Sequence, residues 1–128
     1  MILAGIDFGE KRIGLAVARG GIAFPRGILS NTKQVMRDIE LFLDQEGADR
    51  IVIGDTLSFG GMRNSVSDKL DDFVEELRRR VTVPVVLGWE AGSTIEAGRY
   101  APENEQHNDS AAAAVILQRY IDMHPECV

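Results

Sequence analysis

The sequence predicts an α/β fold: a mixed five-stranded sheet with three antiparallel N-terminal strands and helices on both faces. Three observations carry that prediction. Short apolar runs separated by glycine-bearing turns fill the chain up to Leu29. Helical and strand periodicities then alternate. Finally, the last periodic segment opens with the alanine run Ala111-Ala112-Ala113-Ala114 and continues Val115-Ile116-Leu117. Small residues in a row let a helix approach a sheet closely.

The elements follow in order. Ile2 to Phe8 and Ile13 to Ala18 read as strands, with Gly9 to Arg12 as the turn between them. Phe24 to Leu29 reads as a third strand, and Gly20-Gly21 before it suits a hairpin turn. A helix follows, capped by Asn31 or Thr32, with Val35, Ile39, Phe42 and Leu43 on one face. Gly47 supplies its stop. Arg50 to Gly54 contains Ile51-Val52-Ile53, an apolar run typical of a strand buried on both faces. Ser58-Phe59-Gly60-Gly61 reads as a loop. Val66, Leu70, Phe73, Val74 and Leu77 mark a second helix, whose last turn holds Arg78-Arg79-Arg80 at the negative end of the helix dipole. Val83 to Gly88 is the next strand, and Ser93 or Thr94 starts a short helix to about Tyr100. Ala101 to Asn108 reads as a polar loop. Asn108 or Asp109 then caps the final helix, Ser110 to Met123.

Composition bounds the function. The 128 residues suit one domain spanning 1–128. No apolar run approaches the roughly 18 residues of a membrane span, so no membrane association is expected. Met1-Ile2-Leu3-Ala4-Gly5 runs straight into a patterned strand and reads as no signal peptide. The lone Cys127 has no internal disulfide partner, which fits a reducing cytoplasm. No Cys/His cluster suggests zinc. The net charge of −6 argues against general affinity for nucleic acid, which usually goes with a basic footprint. Acids gathered to hold cations also lower the total, however, and bound cations restore positive charge locally.

Three acids stand where chemistry gathers in such a fold. Asp7 closes a buried strand, where a charge is costly without a partner; the plain alternative is a turn cap. Glu90 follows the strand Val83 to Gly88. Asp109 sits at the start of the last helix, where Asp is also an ordinary N-cap. Ligands collect outside strand ends and at helix starts in open α/β sheets. Carboxylates converging there repel one another unless a divalent cation lies between them, and oxygen-only ligation selects Mg²⁺ or Mn²⁺ over zinc.

These residues also carry a family resemblance along nearly the whole chain. Asp7-Phe8-Gly9-Glu10-Lys11-Arg12-Ile13-Gly14-Leu15-Ala16-Val17 resembles the D-x-G-x-K-R-x-G-x-A-V opening of the YqgF/RuvX family of RNase H-like proteins. Ile51-Val52-Ile53-Gly54 resembles its strand ending in V-G. Glu90 with Ser93-Thr94-Ile95-Glu96-Ala97 is similar to its D-E-R-x-[ST]-T-x-E-A segment. Asp109-Ser110-Ala111-Ala112-Ala113-Ala114-Val115-Ile116-Leu117-Gln118-Arg119-Tyr120 is similar to D-x-x-A-A-x-x-I-L-Q-x-Y. The resemblance implies an RNase H-like fold and metal-dependent cleavage of structured nucleic acid, either branched DNA, as in a Holliday junction resolvase, or precursor ribosomal RNA. It maps the catalytic and metal-binding acids onto Asp7, Glu90 and Asp109, with Mg²⁺ or Mn²⁺ as the cofactor. Resolvases of symmetric junctions usually work as dimers, which makes a homodimer a state to consider.

Departures from the family pattern surround Glu90. Trp89-Glu90-Ala91 stands where the family has Asp-Glu-Arg, so an acid and an arginine able to grip phosphate in a bidentate way are absent. Trp89 can stack on a base or pack at the sheet edge. Asp55 ends a strand and offers a fourth carboxylate or an Asx-type turn. Lys11 and Arg12 are the candidates for phosphate contacts near the acids, against a solvated turn. Arg78-Arg79-Arg80 reads more simply as a helix-end charge cluster than as a binding patch, and His107 as a surface loop residue. Two other functions fit parts of the sequence. One is a catalytically impaired nucleic-acid or protein interaction module, favoured by the acidic balance and the altered Glu90 segment. The other is a nucleotide-binding domain, because Asp7-Phe8-Gly9 with Gly14 also resembles the first phosphate loop of the actin and sugar-kinase superfamily.

Overall fold

The computed structural model describes residues 1–55, 65–89 and 105–124. Along these residues run β1 (Leu3–Phe8), β2 (Arg12–Arg19), β3 (Ile22–Ser30), α1 (Val35–Glu46), β4 (Arg50–Asp55), α2 (Ser65–Arg80), β5 (Val85–Trp89) and α3 (Glu105–Met123). The strands form one sheet in the order β3-β2-β1-β4-β5. β1 and β3 each pair antiparallel with β2. β4 joins β1 and β5 joins β4 in parallel. This is the mixed sheet with an antiparallel N-terminal half that the sequence predicts.

Local chemistry explains the turns. Gly20 and Gly21 both have positive φ, 61° and 82°, and Arg19 pairs with Ile22 across them. Two consecutive residues in that region form the tight turn whose twist matches a hairpin. α1 ends at Gly47, whose φ of 69° lets its N–H bond the Leu43 carbonyl at 2.9 Å.

The core has two layers, one on each face of the sheet. Ala4, Ile6 and Phe8 of β1 pack with Ile51 and Ile53 of β4 against α1 (Val35, Ile39, Leu43) and α2 (Leu70, Phe73, Leu77). Leu3, Ala16 and Val52 pack on the other face against Ala113, Ile116, Leu117 and Tyr120 of α3. β1 is therefore central and covered on both sides. Gly5 sets the fit on the α3 side: a Cβ there would lie 3.0 Å from Leu117 Cβ and 3.1 Å from the Ala113 carbonyl oxygen. The missing side chain lets α3 lie directly on β1.

Two expected helix starts are corrected. α1 begins at Val35, with Gln34 rather than Asn31 or Thr32 at its cap position and no side-chain cap. Thr32 makes a local turn instead: its Oγ1 accepts from the Gln34 N–H at 3.3 Å and its carbonyl from the Val35 N–H at 3.2 Å. Asn31 bonds elsewhere. α3 begins at Glu105, so Asn108 and Asp109 are helical residues and not its cap, and the expected polar loop ends before residue 105. A glutamate in the first turn is favoured by the helix dipole. The expected loop Ser58 to Gly61 and the helix from Ser93 or Thr94 lie outside the described residues.

Candidate functional site

β1, β4 and β5 run parallel, so their carboxyl ends share one edge of the sheet. Asp7 is the penultimate residue of β1, Asp55 the last of β4 and Trp89 the last of β5, with Asp55 and Trp89 in register. Glu90 follows β5 directly and lies outside the described residues. Asp7 is half-buried and alternates with Leu3 and Gly5, which places it on the α3 face. Its neighbour Phe8 faces the other way and meets Phe73 of α2 at 4.9 Å between ring centres. The end of β1 is thus held from below by an aromatic contact, while Asp7 looks towards α3.

α3 is positioned by its polar side chains as well as its alanines. The β2–β3 register shifts between Leu15, which pairs with Gly27, and Ala16, which pairs with Pro25, so Arg26 is a bulged residue. Ser110 occupies that irregularity. Its hydroxyl accepts from the Gly27 N–H at 3.3 Å and donates to the Leu15 carbonyl at 3.3 Å. Further along α3, Gln118 accepts from the Ala23 N–H at 2.9 Å and donates to the Gly21 carbonyl at 3.1 Å. Two side chains on one helix thereby fix its position along β3. Leu15 pairs with Ile6, so Ser110 stands beside the carboxyl end of β1. Asp109, the preceding residue, is brought with its helix to the end of the strand that carries Asp7.

The turn after Asp7 is tightly closed. A Cβ on Gly9 would lie 2.5 Å from the Arg12 carbonyl oxygen, so no side chain fits there without opening the turn. Asn31 Nδ2 donates to the Gly9 carbonyl at 2.8 Å, and the Asn31 N–H donates to the Lys11 carbonyl at 2.9 Å. Lys69 of α2 lies 3.4 Å from Glu10. Lys11 is exposed and Arg12 half-buried beside a shallow cavity of about 270 Å³ lined by Gly9, Glu10, Lys11 and Arg12.

Other candidates sort differently. Arg78 donates to the Val85 carbonyl at 2.9 Å. Arg79 pairs with Glu76 at 3.6 Å, and Arg80 with Glu76 at 3.0 Å and Glu40 at 3.3 Å. Hydrogen bonds to Glu76 and then Glu40 raise the Arg80 pKa above its ordinary value. This cluster joins α2 to α1 and to β5 at the end of the sheet away from Asp7, in keeping with a helix-end cluster. His107 falls within α3 rather than in a loop. Asn31 and Ser110 were not among the sequence candidates for the site. The only hint of Ser110's role was the Pro25-Arg26-Gly27 break inside a strand pattern.

The chemistry of the acids fits a hard divalent cation, since carboxylate oxygens are its preferred donors. Among the described residues no group of three or more His, Cys, Asp or Glu gathers as a metal site, and Glu90 is not one of those residues. Also among them, no helix is long and apolar enough to cross a membrane.

Comparison with known proteins agrees with this architecture. A protein from Bordetella petrii, provisionally named a pre-16S rRNA nuclease, is 35% identical over 131 residues, covering 96% of each chain. One of the same name from Anaplasma marginale is 32% identical over 132 residues, covering 94% of this chain and 84% of its own. Among solved structures, Thermus thermophilus RuvC in complex with a Holliday junction superposes with a TM-score of 0.62 at 18% identity, covering 97% of this chain and 96% of its own. The Fowlpox virus resolvase with junction DNA gives 0.63 at 13% identity, covering 96% and 98%. These structures share the fold, which is RNase H-like. The model of the RuvX family, described as Holliday junction resolvases, matches residues 1–123, and the chain belongs to that family.

Proposed function

We propose that this protein is a divalent-metal-dependent endonuclease that hydrolyses phosphodiester bonds in structured nucleic acid, with Asp7, Glu90 and Asp109 as its catalytic carboxylates. The observation that supports it most is the docking of α3. Gly5 lets the helix lie on β1, and Ser110 sets its height at the bulge, so residue 109 arrives at the Asp7 end of the strand. β5, which Glu90 follows in the sequence, ends at the same edge with Trp89. Mg²⁺ or Mn²⁺ held by these acids would stabilise the charge that develops on the phosphate and its leaving oxygen.

The chain's own residues do the positioning. Asp7, half-buried at a strand end, presents its carboxylate on a rigid element. Lys11, on the turn that follows it, and Arg12, the first residue of β2, hold the substrate phosphates beside the acids. The names of the relatives and of the solved neighbours put precursor 16S rRNA and Holliday junctions first among substrates. We place the protein in the cytoplasm. A homodimer matches a symmetric junction.

The test is cleavage of a four-way DNA junction and of a structured precursor rRNA fragment in Mn²⁺. D7N, E90Q and D109N are each expected to lose more than about 100-fold in rate, beyond the loss typical of a supporting residue at a metal site. Absence of cleavage by the wild type, together with no divalent-metal binding by calorimetry, would favour an interaction module that has lost catalysis. The Trp89-Glu90-Ala91 departure motivates that second reading.

A further inference from the structure

We infer that Asn31 is a positioning residue for substrate phosphate, acting through the β1–β2 turn. The inference rests on the proposed role of Lys11 and Arg12 as phosphate contacts. A phosphate approaching a turn is repelled by backbone carbonyl oxygens and attracted by lysine, arginine and N–H groups. Asn31 takes up two of the turn's carbonyls, Gly9 through its side chain at 2.8 Å and Lys11 through its backbone at 2.9 Å. Both oxygens are thereby turned towards the start of the β3–α1 connection. The Lys69–Glu10 pair at 3.4 Å offsets the one acidic side chain of the turn. Gly9 closes the turn so tightly that a Cβ would meet the Arg12 carbonyl at 2.5 Å. A merely solvated turn requires none of these restraints. Together they hold the backbone beneath Lys11 and Arg12 in one shape, which lowers the entropy lost when those side chains engage a phosphate.

The experiment is binding of a fluorescent four-way DNA junction in EDTA, measured across a salt series, so that no cleavage is required. Each lost phosphate contact flattens the plot of log K against log salt by about 0.9. K11A is expected to flatten it by about one contact. N31A should do the same although residue 31 carries no charge, and should add little in a K11A background, because coupled residues are not additive. N31D keeps the size of asparagine but cannot donate to Gly9, and it should weaken binding further than N31A. N31D carries the same test if N31A melts below the assay temperature. An N31A slope equal to wild type overturns the inference, as does an unchanged loss in the K11A background. If the wild type itself fails to bind the junction, the proposed substrate class fails instead.

Discussion

At the scale of single residues, the site depends on side chains that are absent as much as on those present. Gly5 and Gly9 flank Asp7 two positions away on either side, and each leaves room that a methyl group would fill. At Gly5 the added carbon meets Leu117 Cβ at 3.0 Å and the Ala113 carbonyl at 3.1 Å. At Gly9 it meets a backbone oxygen at 2.5 Å. Neither contact is the tip of a flexible side chain that can swing aside. Overpacking of this kind costs roughly 1–3 kcal/mol. G5A is therefore expected to lower the unfolding free energy by that amount in urea denaturation and to weaken metal binding, because α3 must lift from β1. G9A strains only the turn, so it should weaken junction binding more than metal binding. Equal loss of both ligands in the two variants would contradict this separation. Asp7 was legible as a candidate in the sequence because a charge at the end of an apolar strand is conspicuous. Asn31 was not, because an asparagine before a helical pattern has the chemistry of a cap, and only its partners show that it serves the turn.

At the scale of elements, strands with plain apolar runs are the most legible in the sequence. Ile51-Val52-Ile53 lies inside β4, and all three residues are fully buried. The double-glycine hairpin and the Gly47 stop were also legible, since each depends on a backbone conformation that few other residues adopt. The start of α3 differs from the expected one for a physical reason. Asn108-Asp109 has strong capping chemistry, but Glu105 is equally suited to a first turn, and the choice between them depends on where the sheet holds the helix. That hold comes from Ser110 and Gln118. Ser110→Ala leaves the Gly27 N–H and the Leu15 carbonyl without their hydroxyl partner at the bulge. The loss of a hydrogen bond of this type costs about 1 kcal/mol. S110A is expected to lower stability by roughly that much and to reduce divalent-metal affinity with it, measured by calorimetry. Q118A should cost similar stability yet leave metal affinity unchanged, because its contacts at Gly21 and Ala23 lie at the far end of the helix from residue 109. Loss of metal affinity in Q118A, or none in S110A, would show that the bulge does not set the position of the acid.

At the scale of the whole molecule, a chain with a net charge of −6 must bind a polyanion with a small number of positive groups. The arginines at the end of α2 are paired with Glu40 and Glu76 or bonded to the Val85 carbonyl, at the opposite end of the sheet from Asp7. Arg19 and Arg26 both lie against Glu46, at 3.4 Å and 3.6 Å. Among the described residues, Lys11 and Arg12 are the basic residues that follow Asp7 most closely in the chain, and they are the proposed phosphate contacts. Two phosphate contacts correspond to a salt slope of about −1.8, against about −5 to −9 for a protein making 6–10 contacts. Junction binding in EDTA is therefore expected to be weak but to fall gently with salt. Added Mg²⁺ should strengthen it, because a cation held by the proposed acids Asp7, Glu90 and Asp109 would turn their repulsion of phosphate into attraction. The D7N variant separates that effect from general screening. Neutralising one acid should improve binding in EDTA and remove most of the gain from Mg²⁺. If Mg²⁺ instead weakens binding in the wild type, as it does when it merely competes for phosphates, the acids do not face the substrate and the proposed centre is wrong.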